Sequence, residues 1–174
     1  MPRAETLHCL VEVPKGSRNK YVWDERLGAI KLDRFLFSSV VYPTDYGFIP
    51  NTLSEKGEAL DTMVCVSEPT FPGCLIPVKT IALFRTRDEQ GQDDKLLCVP
   101  EHDPNWNELD TLDDLPKTLR SEIEHFWRIY KEPEGKSVEI QGWEDREPAL
   151  GLIDKGRDRW REAGKPKGAY PAAQ

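Results

Sequence analysis

Pro77-Val78-Lys79-Thr80-Ile81-Ala82-Leu83-Phe84, the acidic link Asp88-Glu89-Gln90-Gly91-Gln92-Asp93-Asp94 and then Lys95-Leu96-Leu97-Cys98-Val99 form the stretch that decides the fold. Two runs rich in β-branched, aromatic and leucine side chains flank a polar segment centred on glycine. That pattern predicts two strands joined by a short loop. Asp61 to Val66 reads as a further strand, and Pro69, Pro72 and Gly73 punctuate its connection to Pro77. Upstream, Leu10, Glu12 and Pro14 alternate with Val11 and Val13, which predicts a strand with Glu12 on the face opposite the two valines. Tyr21 to Trp23 and Ala29 to Leu32, separated by Asp24-Glu25-Arg26-Leu27-Gly28, read as a hairpin. Several short strands with turn signals at modest spacing predict a small barrel or a sandwich.

The period changes in the last third. Asp113 or Asp114 is read as the cap of a helix, with Pro116 in its first turn. Leu115, Leu119, Ile123, Phe126 and Tyr130 recur at helical steps, and Pro133 and Gly135 end the run. Val138 and Ile140 alternate as one more strand, and Leu150, Ile153, Arg157 and Trp160 mark a terminal helix. Residues 1–164 read as one domain without internal repeats or a second core, and 165–174 as a flexible tail.

Composition narrows the functional classes. The 174 residues suffice for one domain with a real core, and the formal net charge of −7 disfavours a nucleic-acid partner. Cys9, Cys65, Cys74 and Cys98 form no CxxC pair and read as reduced, mostly buried thiols, which suits a cytoplasmic protein. His8, His102 and His125 are scattered without zinc-ligand spacing. No apolar run approaches the ~18–20 residues that a membrane span needs.

Chemistry is concentrated in interleaved carboxylates, cations and tyrosines. Breaking a phosphoanhydride calls for positioning and charge stabilisation of a dense anion, through metal ions and Arg or Lys clamps. Asp88 and Asp93, on either side of Gly91, can turn toward one centre while Lys95 reaches a phosphate. Taken alone, the same segment reads more simply as a solvated acidic hairpin tip. Lys20, Arg34, Tyr42, Tyr46, Tyr130 and Lys131 are each, singly, as readily explained as rim residues.

Order and local wording weight the first reading. Val11-Glu12-Val13-Pro14, Arg18-Asn19-Lys20-Tyr21, Leu32-Asp33-Arg34-Phe35 and Tyr42-Pro43-Thr44-Asp45-Tyr46-Gly47-Phe48-Ile49 occur in that sequence. Asp88 to Lys95, Cys98-Val99-Pro100 and His125-Phe126-Trp127-Arg128-Ile129-Tyr130-Lys131 follow. Together these strings make the chain resemble the family I soluble inorganic pyrophosphatases of bacterial type, from about Leu10 to Gly164. The resemblance implies an α+β fold, a small closed OB-like β-barrel with peripheral helices, the main ones in the C-terminal third. It implies hydrolysis of pyrophosphate to two phosphates by Mg²⁺-assisted attack of a metal-bound water, with Mn²⁺ as a substitute ion. It also implies a cytoplasmic homo-oligomer, commonly a hexamer. Residue by residue, Asp61, Asp88, Asp93 and Glu12 match metal-site carboxylates. Lys20, Arg34, Lys95, Tyr130 and Lys131 match phosphate-binding groups, Tyr42 lines the pocket, and Tyr46 supports the attacking water.

The resemblance breaks at one loop. Where the family reads Asp-Gly/Ser-Asp-Pro-x-Asp, this chain has Lys56-Gly57-Glu58-Ala59-Leu60-Asp61, and Val22 stands where a glutamate is usual. Glu58 keeps a carboxylate as candidate base but is longer by one methylene. Lys56 exchanges an anionic ligand for an ammonium, which has no lone pair to offer a metal. Two readings follow: a working pyrophosphatase with reduced activity or altered metal dependence, or a catalytically impaired relative that binds phosphate or pyrophosphate or serves in assembly. A third, single-stranded nucleic-acid binding by an OB-type barrel, rests on the tryptophans and on Lys15, Arg18 and Lys20, and ranks below both.

Overall fold

Backbone pairing in the computed structural model, which describes residues 6–164, turns the strand-rich first hundred residues into a closed ring. β1 (Leu7–Val13) pairs antiparallel with β4 (Asp45–Ile49), and β4 with β5 (Leu60–Val64). β5 runs parallel to β8 (Lys95–Pro100), β8 antiparallel to β6 (Leu75–Asp88), and β6 closes on β1. Closure gives each of these five strands a partner on both sides, which is how a barrel avoids edge pairing. The barrel predicted from the turn spacing is therefore present, and the sandwich is not. β6 is longer than the run from Pro77 to Phe84 predicts, because its far end carries two additional partners. These are β7 (Gly91–Gln92) and β9 (Glu139–Asp145). β2 (Asn19–Asp24) and β3 (Ala29–Phe35) form the expected hairpin as a separate two-stranded sheet.

Near-continuous apolar runs in β5 and β8 are explained by burial on both faces. Val64, Leu96 and Cys98 pack with Ala149 and Ile153 of α2 (Arg146–Glu162). Their neighbours Met63, Leu97 and Val99 pack on the other side with Ile123, Phe126 and Trp127 of α1 (Lys117–Ile129). The two clusters are thus opposite faces of shared strands. Gly47 is required where β4 crosses β1: a Cβ there would lie 1.9 Å from the Leu10 carbonyl oxygen.

Three local expectations are corrected. Val11 pairs with Gly47 but Val13 with Tyr46, so Glu12 is the extra residue of a β-bulge and the two valines fall in different clusters. Neither Asp113 nor Asp114 caps α1. Pro116 forces Leu115 out of helical geometry (φ −71°, ψ 129°), and Asp114 turns back to accept from Asp110 N (2.9 Å) and Thr111 N (3.0 Å) in a 3₁₀ turn. On α2 the buried stripe is Ala149, Ile153, Gly156 and Trp160, while Leu150 is exposed. The tail read at 165–174 lies outside the described residues.

Candidate active site

A cavity of about 650 Å³ opens where the bulge of β1, the β2–β3 hairpin, the 50–59 loop, the β6–β7 hairpin and the end of α1 meet. Every residue singled out for chemistry lies on its wall: Glu12, Lys20, Arg34, Tyr42, Tyr46, Glu58, Asp61, Asp88, Asp93, Lys95, Tyr130 and Lys131. The altered positions Val22, Lys56 and Ala59 line it as well.

Local structure sets each of these side chains. The β1 bulge re-aims Glu12 into the cavity, where its carboxylate accepts from Trp23 N at 2.8 Å. Asp61 is fixed by barrel pairing opposite Phe48, and the loop before it is pinned at both ends by buried Thr52. That hydroxyl donates to Ile49 O (2.6 Å) and accepts from Leu60 N (3.2 Å). Gly156 of α2 backs the same loop, its carbonyl accepting from Leu53 N at 3.0 Å. A second bulge, at Asp33, brings Lys20 opposite Arg34 across the hairpin.

Lys95 is the electrostatic centre. Only 2% exposed, its ammonium lies 3.0 Å from Asp93, 3.6 Å from Asp61 and 3.2 Å from the Tyr46 hydroxyl, over the Trp127 ring at 4.3 Å. Burial by itself depresses a lysine; here Asp93 and Asp61 outweigh it and hold Lys95 above its ordinary value. Burial lifts Asp61 to about 6 against the pull of Lys95, with Asp93 adding to the rise. Asp93 goes the other way, because Lys95 overcomes its burial. The two carboxylates share the Lys95 ammonium as a common partner.

Around this centre three more cations are paired. Lys131 Nζ is 3.4 Å from Asp88, and Arg34 engages Glu134 through two nitrogens and Asp33 at 2.7 Å. Lys20 lies 3.6 Å from Asp33; burial, then Arg34, lowers its pKa. Burial raises Tyr42, Tyr46 and Tyr130, so all three phenols stay neutral. Tyr42 hydroxyl is buried and finds no hydrogen-bond partner among the described residues, a donor left for something bound in the cavity.

The donor set suits a hard divalent cation, since Asp61, Asp93, Asp88 and Glu12 offer only oxygens and Mg²⁺ keeps several waters of its own. Yet the aspartates are not gathered on one point. Asp61 and Asp93 meet across Lys95, Asp88 turns to Lys131, and among the described residues no three acidic, histidine or cysteine side chains form a ready-made cluster.

Reading by sequence missed Trp127, Glu134 and Asp33. Trp127 shares the buried face of α1 with Phe126 and Tyr130, a signal that helical spacing contained. Glu134 gave none, because only the tertiary fold brings it to Arg34.

Glu12 yields a stability prediction. Burial raises it to about 7 from 4.5, so the folded chain holds a proton there that the unfolded chain has lost. Stability therefore falls as pH rises from about 4.5 to 7. With metal chelated, Glu12→Gln is expected to stabilise the protein at pH 8 by on the order of 1–2 kcal/mol, and little at pH 4.5. Thermal melts at the two pH values check this.

Comparison with known proteins shows the family. The family model for inorganic pyrophosphatase matches residues 9–161. The chain is 50% identical over 156 residues to an inorganic pyrophosphatase of Methanosarcina acetivorans, covering 90% of this chain and 93% of that one. It is 50% identical over 155 residues to one of Streptomyces coelicolor, with 88% and 95% covered. Among solved structures, the inorganic pyrophosphatase of Thermus thermophilus is similar with a TM-score of 0.87 at 39% identity, over 92% of this chain and 95% of that chain.

Proposed function

The chain belongs to the inorganic pyrophosphatase family and hydrolyses inorganic pyrophosphate to two phosphates; we propose that it does so in the cavity around Lys95. The observation that carries this placement is the joining of Asp61 and Asp93, the clamps Lys20, Arg34 and Lys131, and the unpartnered Tyr42 hydroxyl around one cavity.

The reaction adds water across one bond: its oxygen joins one phosphorus, the bridging P–O bond breaks, and the departing phosphate keeps that electron pair. A divalent cation held at the carboxylates, Mg²⁺ with Mn²⁺ as substitute, would supply Lewis-acid stabilisation of the developing charge and lower the pKa of water there. Asp61 and Asp93 would hold such a cation, and Asp88 and Glu12 offer further oxygens. Lys20, Arg34, Tyr130 and Lys131 hold phosphoryl oxygens, and Tyr42 donates its free hydroxyl. Glu58, exposed on the loop and without an ion pair among the described residues, accepts the proton of the attacking water. Tyr46 acts through Lys95, to which it is bonded. Neutralising a dense anion at fixed positions, rather than covalent chemistry, is what such residues contribute.

The protein works in the cytoplasm as a homo-oligomer, a hexamer being favoured. Exposed Phe35, Phe37, Val41 and Phe71 support self-association, and four free cysteines support a reducing compartment. Among the described residues no helix is long and apolar enough to cross a membrane. Phosphate release from pyrophosphate, run beside a phosphomonoester, tests the substrate. Release from pyrophosphate alone is expected, and equal release from both or from neither would overturn the reading.

A further inference from the structure

Lys56 stands on a tight turn at the mouth of the cavity. Ser54 N donates to Glu58 O at 2.6 Å, Gly57 N to Ser54 O at 3.0 Å, and Lys56 N to Ser54 Oγ at 3.2 Å. Gly57 takes φ +80°, which favours glycine and lets the turn close. The lysine arm then crosses to the opposite lip. Its Cε lies 3.9 Å from where a Cβ on Gly91 would stand, at the tip of the β6–β7 hairpin.

The charges beneath it decide what it does. Lys95, Lys131, Arg34 and Lys20 are committed to carboxylates, whereas Lys56 makes no ion pair within 4 Å among the described residues. Its contact with Gly91 nevertheless sets it over the hairpin that carries Asp88 and Asp93, and all three line the same cavity. Asp61, Asp93 and Lys95 together carry one net negative charge, and Lys56 brings the group to zero. A neutral group attracts a dication far less than an anionic one. An ammonium cannot ligate a metal, but it can neutralise an anion as a compact point charge.

We infer that the Lys56 ammonium is a tethered cation standing in for a free divalent ion over the Asp93 side of the cavity, so that the site binds fewer divalent ions than its carboxylates would otherwise hold. This rests on the reading of the cavity as a cation-dependent pyrophosphatase site. The consequence is a site whose cation occupancy is set partly by covalent linkage, and so responds less steeply to the free ion concentration.

Counting Mn²⁺ by electron paramagnetic resonance, in wild type, Lys56→Arg, Lys56→Met and Lys56→Asp, tests it without relying on turnover. The exposed turn tolerates each change, and melting curves check folding. The expected result is wild-type binding in Lys56→Arg, affinity for the weakest ion about tenfold tighter in Lys56→Met, and one additional ion per chain in Lys56→Asp. Equal number and affinity in all four proteins would overturn the inference. Phosphate release by the wild type is measured separately, so a failure of the site reading is distinguishable from a failure of this one.

Discussion

Asp61→Asn is expected to lower kcat/KM for pyrophosphate on the order of 10³-fold, with the fold intact. Asparagine keeps the shape and one oxygen but removes the charge that, with Asp93, makes the cavity floor anionic. The backbone at this point cannot compensate. Asp61 is locked in β5 between buried Leu60 and Thr62 and paired with Phe48. Stability moves little, because two terms oppose. Lys95 loses one partner at 3.6 Å, while a carboxyl that burial lifts to about 6 no longer has to ionise. A raised carboxyl favours the folded state at low pH, and this contribution is lost as pH rises from 3.8 to about 6. At pH 8 the substitution therefore removes a strain as well as a contact. Phosphate-release kinetics beside a melting curve separate the two effects. Full turnover in the variant would dismiss Asp61 from the reaction.

Lys95→Met is expected to lower stability by about 3–5 kcal/mol at pH 8 and to abolish turnover. Methionine fills much of the volume, so the loss is not chiefly a cavity. It arises because Asp61 and Asp93 are left facing one another with no cation between them, and because the contact with the Trp127 ring is lost. The effect has a pH signature. Protonating the two aspartates relieves their repulsion, so the deficit shrinks toward pH 4 and grows above it. The triple variant Asp61→Asn/Asp93→Asn/Lys95→Met recovers most of the lost stability while remaining inactive, since a buried charge group removed whole is far less costly than one left unbalanced. Denaturant titrations of the single and triple variants check it. Equal losses in both would mean that packing, not charge, governs this position.

Much of the barrel was legible because its strands are short apolar runs separated by glycine and proline, and that signal is local. The acidic hairpin was equally plain, with Asp88 and Asp93 on either side of Gly91. The bulges at Glu12 and Asp33 were not, since one unpaired residue leaves no mark on an alternating pattern until the partner strand is known. Pro116 could have been weighed more heavily: its effect on Leu115 separates the 3₁₀ turn from α1 and strands Asp114 outside the helix. For the site, isolated residues read as rim chemistry. Their order along the chain, through the resemblance, grouped them, and the fold set that group around one cavity. What no pattern could carry were pairings across the fold, such as Arg34 with Glu134 and Lys95 with Trp127.

The most direct measurement is phosphate release from pyrophosphate by the wild type across a Mg²⁺ and Mn²⁺ titration, beside the Lys56→Asp/Glu58→Asp double variant. A cation-dependent site that works with its own loop predicts wild-type turnover that appears with added cation and vanishes on chelation. A silent wild type at every concentration of both ions, with turnover only in the double variant, would contradict it.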